Sequence, residues 1–403
     1  MPDPVTLDLK FWFISPALQA AIDAFHEEYP WITIQTNTSI QKAVINNVIA
    51  GEKSDLVILD NGLDQWITGD NDLLVDLAPF IEQDERIQNA DVVEGFMDSF
   101  FTPDGKVYTL PWTDIPMFVA VNKDLLRKYG MEMPSNDWTY DEMLNMMIKA
   151  TNKDANDWGL IGTAALLAEL RSIANGNTAN FRWMNEDLTQ SVLNRPEVIA
   201  DLQWGQDLLL RYNVEPTADQ KKELGVPGDP GAAFLNGNFL FFGAADWNIS
   251  QLQGATFDWD VLPFPRGIKS QVTQHQVGPM SIVKSSEHIE EAFMFMSFLF
   301  SEKPQIAAID NGAGAWVKSP AIDTHFDKVA LWEGKNVEAI KLTSTLCCYG
   351  KDIQMVNFTD YVFGGALAKA NALMSGGGNF SELIPLVEDY NRKVAETRAA
   401  MGW

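Results

Sequence analysis

Two hydrophobic periods alternate five times within the first sixty residues, and no other feature of the chain restricts its fold as strongly. Val5, Leu7, Leu9 and Phe11 recur at every second position, which predicts a strand with one buried face. Ser15-Pro16 then reads as an N-cap followed by a proline in the first helical turn, where the missing N–H costs nothing. Leu18, Ala21, Ile22, Phe25 and Tyr29 follow at helical spacing until Pro30 stops the helix. A second strand is expected over Trp31–Thr36, a helix from about Ile40 to Gly51, and a short buried strand over Asp55–Asp60. Strand, helix, strand, helix, strand predicts α/β architecture with a largely parallel sheet. Ligands of such sheets sit in the crevice beyond the carboxyl ends of the strands. The turns Trp12–Ser15 and Asp60-Asn61-Gly62 are therefore expected at one site.

At 403 residues the chain predicts two or three domains, and a second α/β unit starts near residue 117. Met117–Val121 reads as a strand, Asn122 as the cap of a helix ending before Gly130, and Thr139-Tyr-Asp-Glu142 as a capping box. The helix after it carries Met143, Met146 and Met147, expected as core rather than a soft-metal site. Segment 215–231 is expected as a surface loop, Phe239–Phe242 and Asp258–Pro263 as strands, and Ser286 as the cap of a helix bearing Ala292, Phe295, Met296 and Leu299.

Composition removes several functions. Lys plus Arg number 29 and Asp plus Glu 55, so the net charge of −26 opposes phosphate backbones and anionic lipid. The longest strongly apolar run, Ala292–Phe300, is about half of what a membrane span needs. A soluble chain that does not bind nucleic acid is expected. Cys347 and Cys348 are the only cysteines, and as neighbours they are expected to remain two buried thiols. His26, His275, His288 and His325 share no metal-ligand spacing and are expected as surface or packing residues. The motifs of the serine-hydrolase elbow, the P-loop and the dinucleotide fold are absent from the sequence. No metal or cofactor is expected.

What remains is aromatic. Of 13 tryptophans, Trp12, Trp112, Trp247 and Trp316 fall at strand ends or in turns, and Trp183 lies in the polar stretch Asn180–Asn185. Indole faces beside Asp and Asn side chains suit sugars: the ring stacks on pyranose C–H groups while carboxylates and amides take the hydroxyls.

Quoted in order, Phe11-Trp-Phe13, Ala24–Pro30, Ser54–Leu59, Leu74–Ile81, Gly105–Trp112, Val121–Leu126, Trp138–Glu142, Ala233–Gly237, Gly243–Trp247, Val261–Pro265, Ile282–Ser286 and Ala292–Leu299 form a loose but ordered series. The chain thereby resembles the bacterial extracellular solute-binding proteins of ABC importers, in particular the sugar-binding group similar to maltose-binding protein. The resemblance implies a two-lobed, type II periplasmic-binding-protein-like α/β fold. Its lobes would comprise 1–112 plus 264–316 and 117–260 plus 320–403, with hinges at 113–116, 261–263 and 317–319. Carried over residue by residue, it implies ligand contacts from Trp12, Asp60, Asn61, Trp112, Asp114, Asp246, Trp247 and Trp316; Trp183 joins them on its polar surroundings alone. The turn after Phe13 lacks the glycine and charged residues many relatives carry, and Gln276–Pro279 replaces a glycine-rich aromatic stretch.

The function so implied is the extracytoplasmic substrate-binding component of an ABC importer. It would bind a neutral mono- or oligosaccharide, act as a monomer, deliver its solute to permease subunits and perform no catalysis. Its place would be the periplasm or the cell surface as a lipoprotein, the present sequence showing no leader. The alternatives are a binder of a non-sugar solute such as a peptide, polyamine or iron, and a carbohydrate-active hydrolase or lyase.

Overall fold

The computed structural model describes residues 2–38, 46, 48–51, 53–58, 69, 71–347 and 355–402. Among these, nine strands build two sheets. They are β1 (Val5–Phe11), β2 (Ile32–Thr38), β3 (Leu56–Ile58), β4 (Leu110–Pro116), β5 (Phe118–Asn122), β6 (Trp158–Ile161), β7 (Phe239–Ala244), β8 (Trp259–Leu262) and β9 (His275–Ile282). The first sheet has the order β2-β1-β3-β9-β4 and the second β6-β7-β5-β8. The chain crosses from the first to the second between β4 and β5, at Met117, and returns over 263–274 between β8 and β9.

The opening of the chain folds as its periodicity requires. Leu7, Leu9 and Phe11 are buried on β1. Ser15 caps the helix Pro16–Glu28 by accepting the Leu18 N–H at 3.1 Å, and the helix ends at Tyr29 before Pro30. The expected helix over Ile40–Gly51 and the end of the third strand, Leu59–Asp60, lie largely outside the described residues.

The sheets are mixed rather than largely parallel. Only β1–β2, β1–β3 and β6–β7 run parallel; β9 pairs antiparallel with β3 and β4, and β5 antiparallel with β7 and β8. The reason is the second crossing. A strand returning from the other sheet enters the first one head-on, and no local pattern in sixty residues carries that long-range partner.

Strand β5 lies inside the second sheet and shows how one strand serves two cores. Phe118 and Ala120 face one apolar cluster, Val119 and Val121 the other, a consequence of the two-residue period. Met143 and Met147 pack into the second of these clusters as expected. The helices Ile289–Phe298 and Glu302–Ile309 cover the first sheet and the helix Pro16–Glu28 respectively. Further on the chain rejoins the second sheet, where Lys335 Nζ donates to the Trp259 carbonyl at 2.7 Å and Asn336 N–H to Asp260 Oδ1 at 2.7 Å.

Three local expectations change. Segment 215–231 is not all loop: Thr217 and Gln220 form a capping box for a helix Ala218–Glu223, and buried Glu215 accepts the N–H groups of Gly162, Thr163 and Ala164. Ser286 does not cap its helix directly; His288 holds that position, and Ser286 Oγ accepts the His288 N–H while donating to Asp55. Cys347 is exposed and disulfide-bonded rather than a buried thiol, and its neighbour Cys348 lies outside the described residues. The Cys347 carbonyl accepts the Thr273 N–H.

Candidate functional site

A cleft of about 710 Å³ opens between the two sheets. One wall is the turn after β1. Between the end of β1 and the capped helix start at Ser15, the chain must span Trp12, Phe13 and Ile14, and these three face the cleft. Phe13 is 52% exposed, far above what a core phenylalanine shows. The opposite wall follows β7. Asn248 Oδ1 accepts the Ala245 N–H at 3.1 Å, which tightens the turn and presents Asp246 and Trp247, the latter 45% exposed, toward the first sheet. Large aromatic rings left open to water on both walls are unusual unless something else covers them.

The floor is made by a break in the β4–β9 ladder. Pro111 lies opposite Pro279, and proline has no N–H to give the ladder. The register then shifts so that Thr113 pairs with Gly278 and Trp112 becomes the extra residue of a bulge. The bulge turns Trp112 into the cleft wall, edge-on to Phe11 at 5.7 Å. Gly278 is required there, since a Cβ would collide with the Trp112 indole nitrogen. Both Trp112 Nε1 and Thr113 Oγ1 are buried without a protein partner, so an acceptor arriving at this wall removes a standing cost.

Beyond the bulge the ladder resumes with Asp114 opposite Val277 and Pro116 opposite His275. Asp114 and His275 are thus diagonal neighbours on one face, and both side chains are fully buried. His275 Nδ1 lies 2.8 Å from Asp114 Oδ1, and Nε2 lies 2.8 Å from the Leu346 carbonyl oxygen. A carbonyl only accepts, so Nε2 carries a proton and a second proton lies between Nδ1 and the carboxylate. The pair joins three separate stretches of chain beside the crossing at Met117.

Among the described acids of the lining, Asp246 makes no ion pair. Burial pushes its carboxyl up to about 6, nearby Asp114 adds to the rise, and the Trp247 backbone N–H opposes it. Asp310, also in the lining, is held by His325 Nε2 at 2.6 Å. Among the described residues, no Lys, Arg or His lines the cleft.

The structure brings Trp12, Trp112, Asp246 and Trp247 together at this cleft. Three of the expected contacts fall elsewhere. Asp114 lies behind the wall, wholly occupied by His275 and by the Gly314 N–H on its backbone carbonyl. Trp316 stacks on Phe96 at 5.7 Å and meets Phe300 edge-on, in a core beside the first sheet. Trp183 is buried with Leu202, Phe358 and Leu367 in a third cluster, its backbone N–H donating to Glu169. Each indole follows glycines or polar residues in sequence, but those loops close over apolar neighbours rather than over the cleft. Asp60 and Asn61 lie outside the described residues. Thr113 escapes the sequence reading, which takes His275 as a surface or packing residue and Gln276–Pro279 as a departure from relatives; the proline pair Pro111 and Pro279 is the available signal, and it becomes meaningful only once the two strands are known to pair.

Two sheet-centred units with an aromatic cleft between them define a two-lobed binding protein. The family model for bacterial extracellular solute-binding proteins matches residues 14–306, and the chain belongs to that family. Its fold is that of an ABC substrate-binding protein of Listeria monocytogenes in complex with cycloalternan, at a TM-score of 0.79 and 21% identity over 100% of both chains. It is likewise that of a Rhizobium etli sugar transporter protein in an open conformation, at 0.76 and 17% identity over 96% of this chain and 99% of the other. A third similar structure is the sugar-binding protein MalE of Xanthomonas citri, at 0.75 and 15% identity over 98% and 99%.

Proposed function

We propose that this chain is the carbohydrate-binding component of an ABC importer and that it binds a mono- or oligosaccharide in the cleft. The observation that carries this reading is the pair of water-exposed aromatic walls, Trp12 and Phe13 facing Trp247, with short polar side chains between them. Indole faces cover the C–H surface of a pyranose, and Asp246, Gln276, Ser250 and Asn311 are of the type that takes hydroxyls. The relatives whose structures contain or are named for sugars support the same class.

The proposed lobes are 1–112 with 264–316 and 117–260 with 320–403, but the first two hinges belong at Met117 and over 263–274, where the chain passes between the sheets, because 113–116 and 261–262 are paired within β4 and β8; the third stays at 317–319. Closure is favourable when solute touches both lobes only in the closed state. The closed form then delivers its solute to permease subunits outside the cytoplasm, from the periplasm or from a lipid anchor, as a monomer. The role is binding without turnover.

A thermal-shift screen over saccharides tests this. A true ligand at 100 times Kd adds about 2.7 kcal/mol to native stability, a shift of several degrees. Uncharged saccharides are expected among the hits and uronates are not, because a carboxylate beside Asp246 meets no cation among the described lining residues. Tight binding of a uronate with other sugars silent would refute the assignment of this cleft.

A further inference from the structure

We propose that the preferred ligand is an amino-substituted sugar, its ammonium held by the Asp246 carboxylate against the ring of Trp247. The inference rests on the carbohydrate reading above and narrows its substrate class.

The described lining of the cleft carries unbalanced charge. Asp246 is partly buried, accepts one backbone N–H, and makes no ion pair among the described residues. Asp114 behind the wall and Asp310 in the lining are already committed, to His275 and His325 respectively, so neither histidine is available to Asp246. The described lining adds no other basic side chain. A partly buried carboxylate in that position loses its remaining water when a ligand covers it, which costs free energy unless a cation comes with the ligand. Hydroxyl groups of a neutral sugar supply donors to it but leave the net charge in place. An ammonium removes that charge and makes a charge-assisted hydrogen bond, roughly twice as strong as a neutral one. Trp247 strengthens the choice, since an indole face attracts a cation through its quadrupole. Two unpaired buried donors in the opposite wall, Trp112 Nε1 and Thr113 Oγ1, ask for acceptors, so the remainder of the ligand keeps hydroxyl or ring oxygens. A linear polyamine carries none, and a uronate carries the wrong sign.

The pH dependence has a definite sign. The Asp246 carboxyl is pushed up to about 6 by burial and by Asp114, so it is ionised above that value and protonated below it. Affinity for an ammonium therefore rises as pH rises through about 6. A neutral sugar, which takes either form of the carboxyl, changes much less.

The test is calorimetric titration of the whole protein with glucose, glucosamine and N-acetylglucosamine, and with the β-1,4 dimers of each. Members of a set differ at C2 alone. At about pH 7, where the amine is still mostly an ammonium, the amine is expected to bind roughly tenfold tighter than its hydroxyl counterpart, with the advantage lost by about pH 5. In Asp246→Asn the ratio of amine to hydroxyl affinity is expected to fall to about one at both pH values. Equal or tighter binding of the hydroxyl or N-acetyl sugar at the higher pH overturns the proposal, as does an amine preference that survives in Asp246→Asn. Binding of other saccharides with every amine silent also overturns it and leaves the carbohydrate reading intact. If no saccharide of any kind binds, the carbohydrate reading falls as well.

Discussion

Replacing His275 by alanine is expected to destabilise the protein by about 3–5 kcal/mol, the cost of leaving a buried charge without its partner. Asp114 has no exposure through which water could replace the imidazole, and the Leu346 carbonyl would lose its donor at the same time. The damage should concentrate at the junction of β4, β9 and the segment ending at Cys347, because those are the stretches the ring holds together. Denaturant unfolding is the measurement, with His275→Ala and the double variant His275→Ala/Asp114→Asn compared. Removing the orphaned charge should restore part of the loss. A single variant as stable as the parent would show that the pair contributes nothing to the fold.

Trp247→Ala should act on binding instead. Truncating an aromatic anchor in a ligand site costs about 2 kcal/mol or more, a loss of roughly thirtyfold in affinity. The residue is 45% exposed, so the unfolding free energy should move by only about 0.5 kcal/mol. Titration with whichever saccharide the screen returns, beside a melting curve, separates the two effects. A sharply lowered melting temperature with affinity unchanged would place Trp247 in the core and the ligand elsewhere.

The contrast between these two residues shows what the sequence can carry. Trp247 was legible because its setting is local: a strand ends at Ala244, a turn follows, and an indole beside an aspartate is left facing outward. The β1 periodicity and the Ser15 cap are local in the same sense, and both appear as read. Asp114 was legible as a residue near the site but not as His275's partner, because 161 positions separate them and only the β4–β9 register brings them together. Trp316 and Trp183 failed for a related reason. A tryptophan in a glycine-rich or polar stretch says that the backbone turns there, while the direction in which the ring is buried depends on Phe96 and Phe300 in one case and on the C-terminal helices in the other. The mixed sheets follow the same rule, since β9 enters from a crossing that no short pattern encodes. Cys347 adds a different lesson: the strain of a small ring argues against a bridge in general, and it does not decide an individual case.

The proposed function requires solute to be held between two lobes that close on it. Small-angle X-ray scattering of the whole protein, alone and saturated with the saccharide found by screening, tests this most directly. The chain should give a smaller radius of gyration with solute at unchanged molecular mass, each lobe keeping its own shape while the hinge stretches change. A bound sugar that leaves the scattering curve of an open, two-lobed particle unaltered would contradict it.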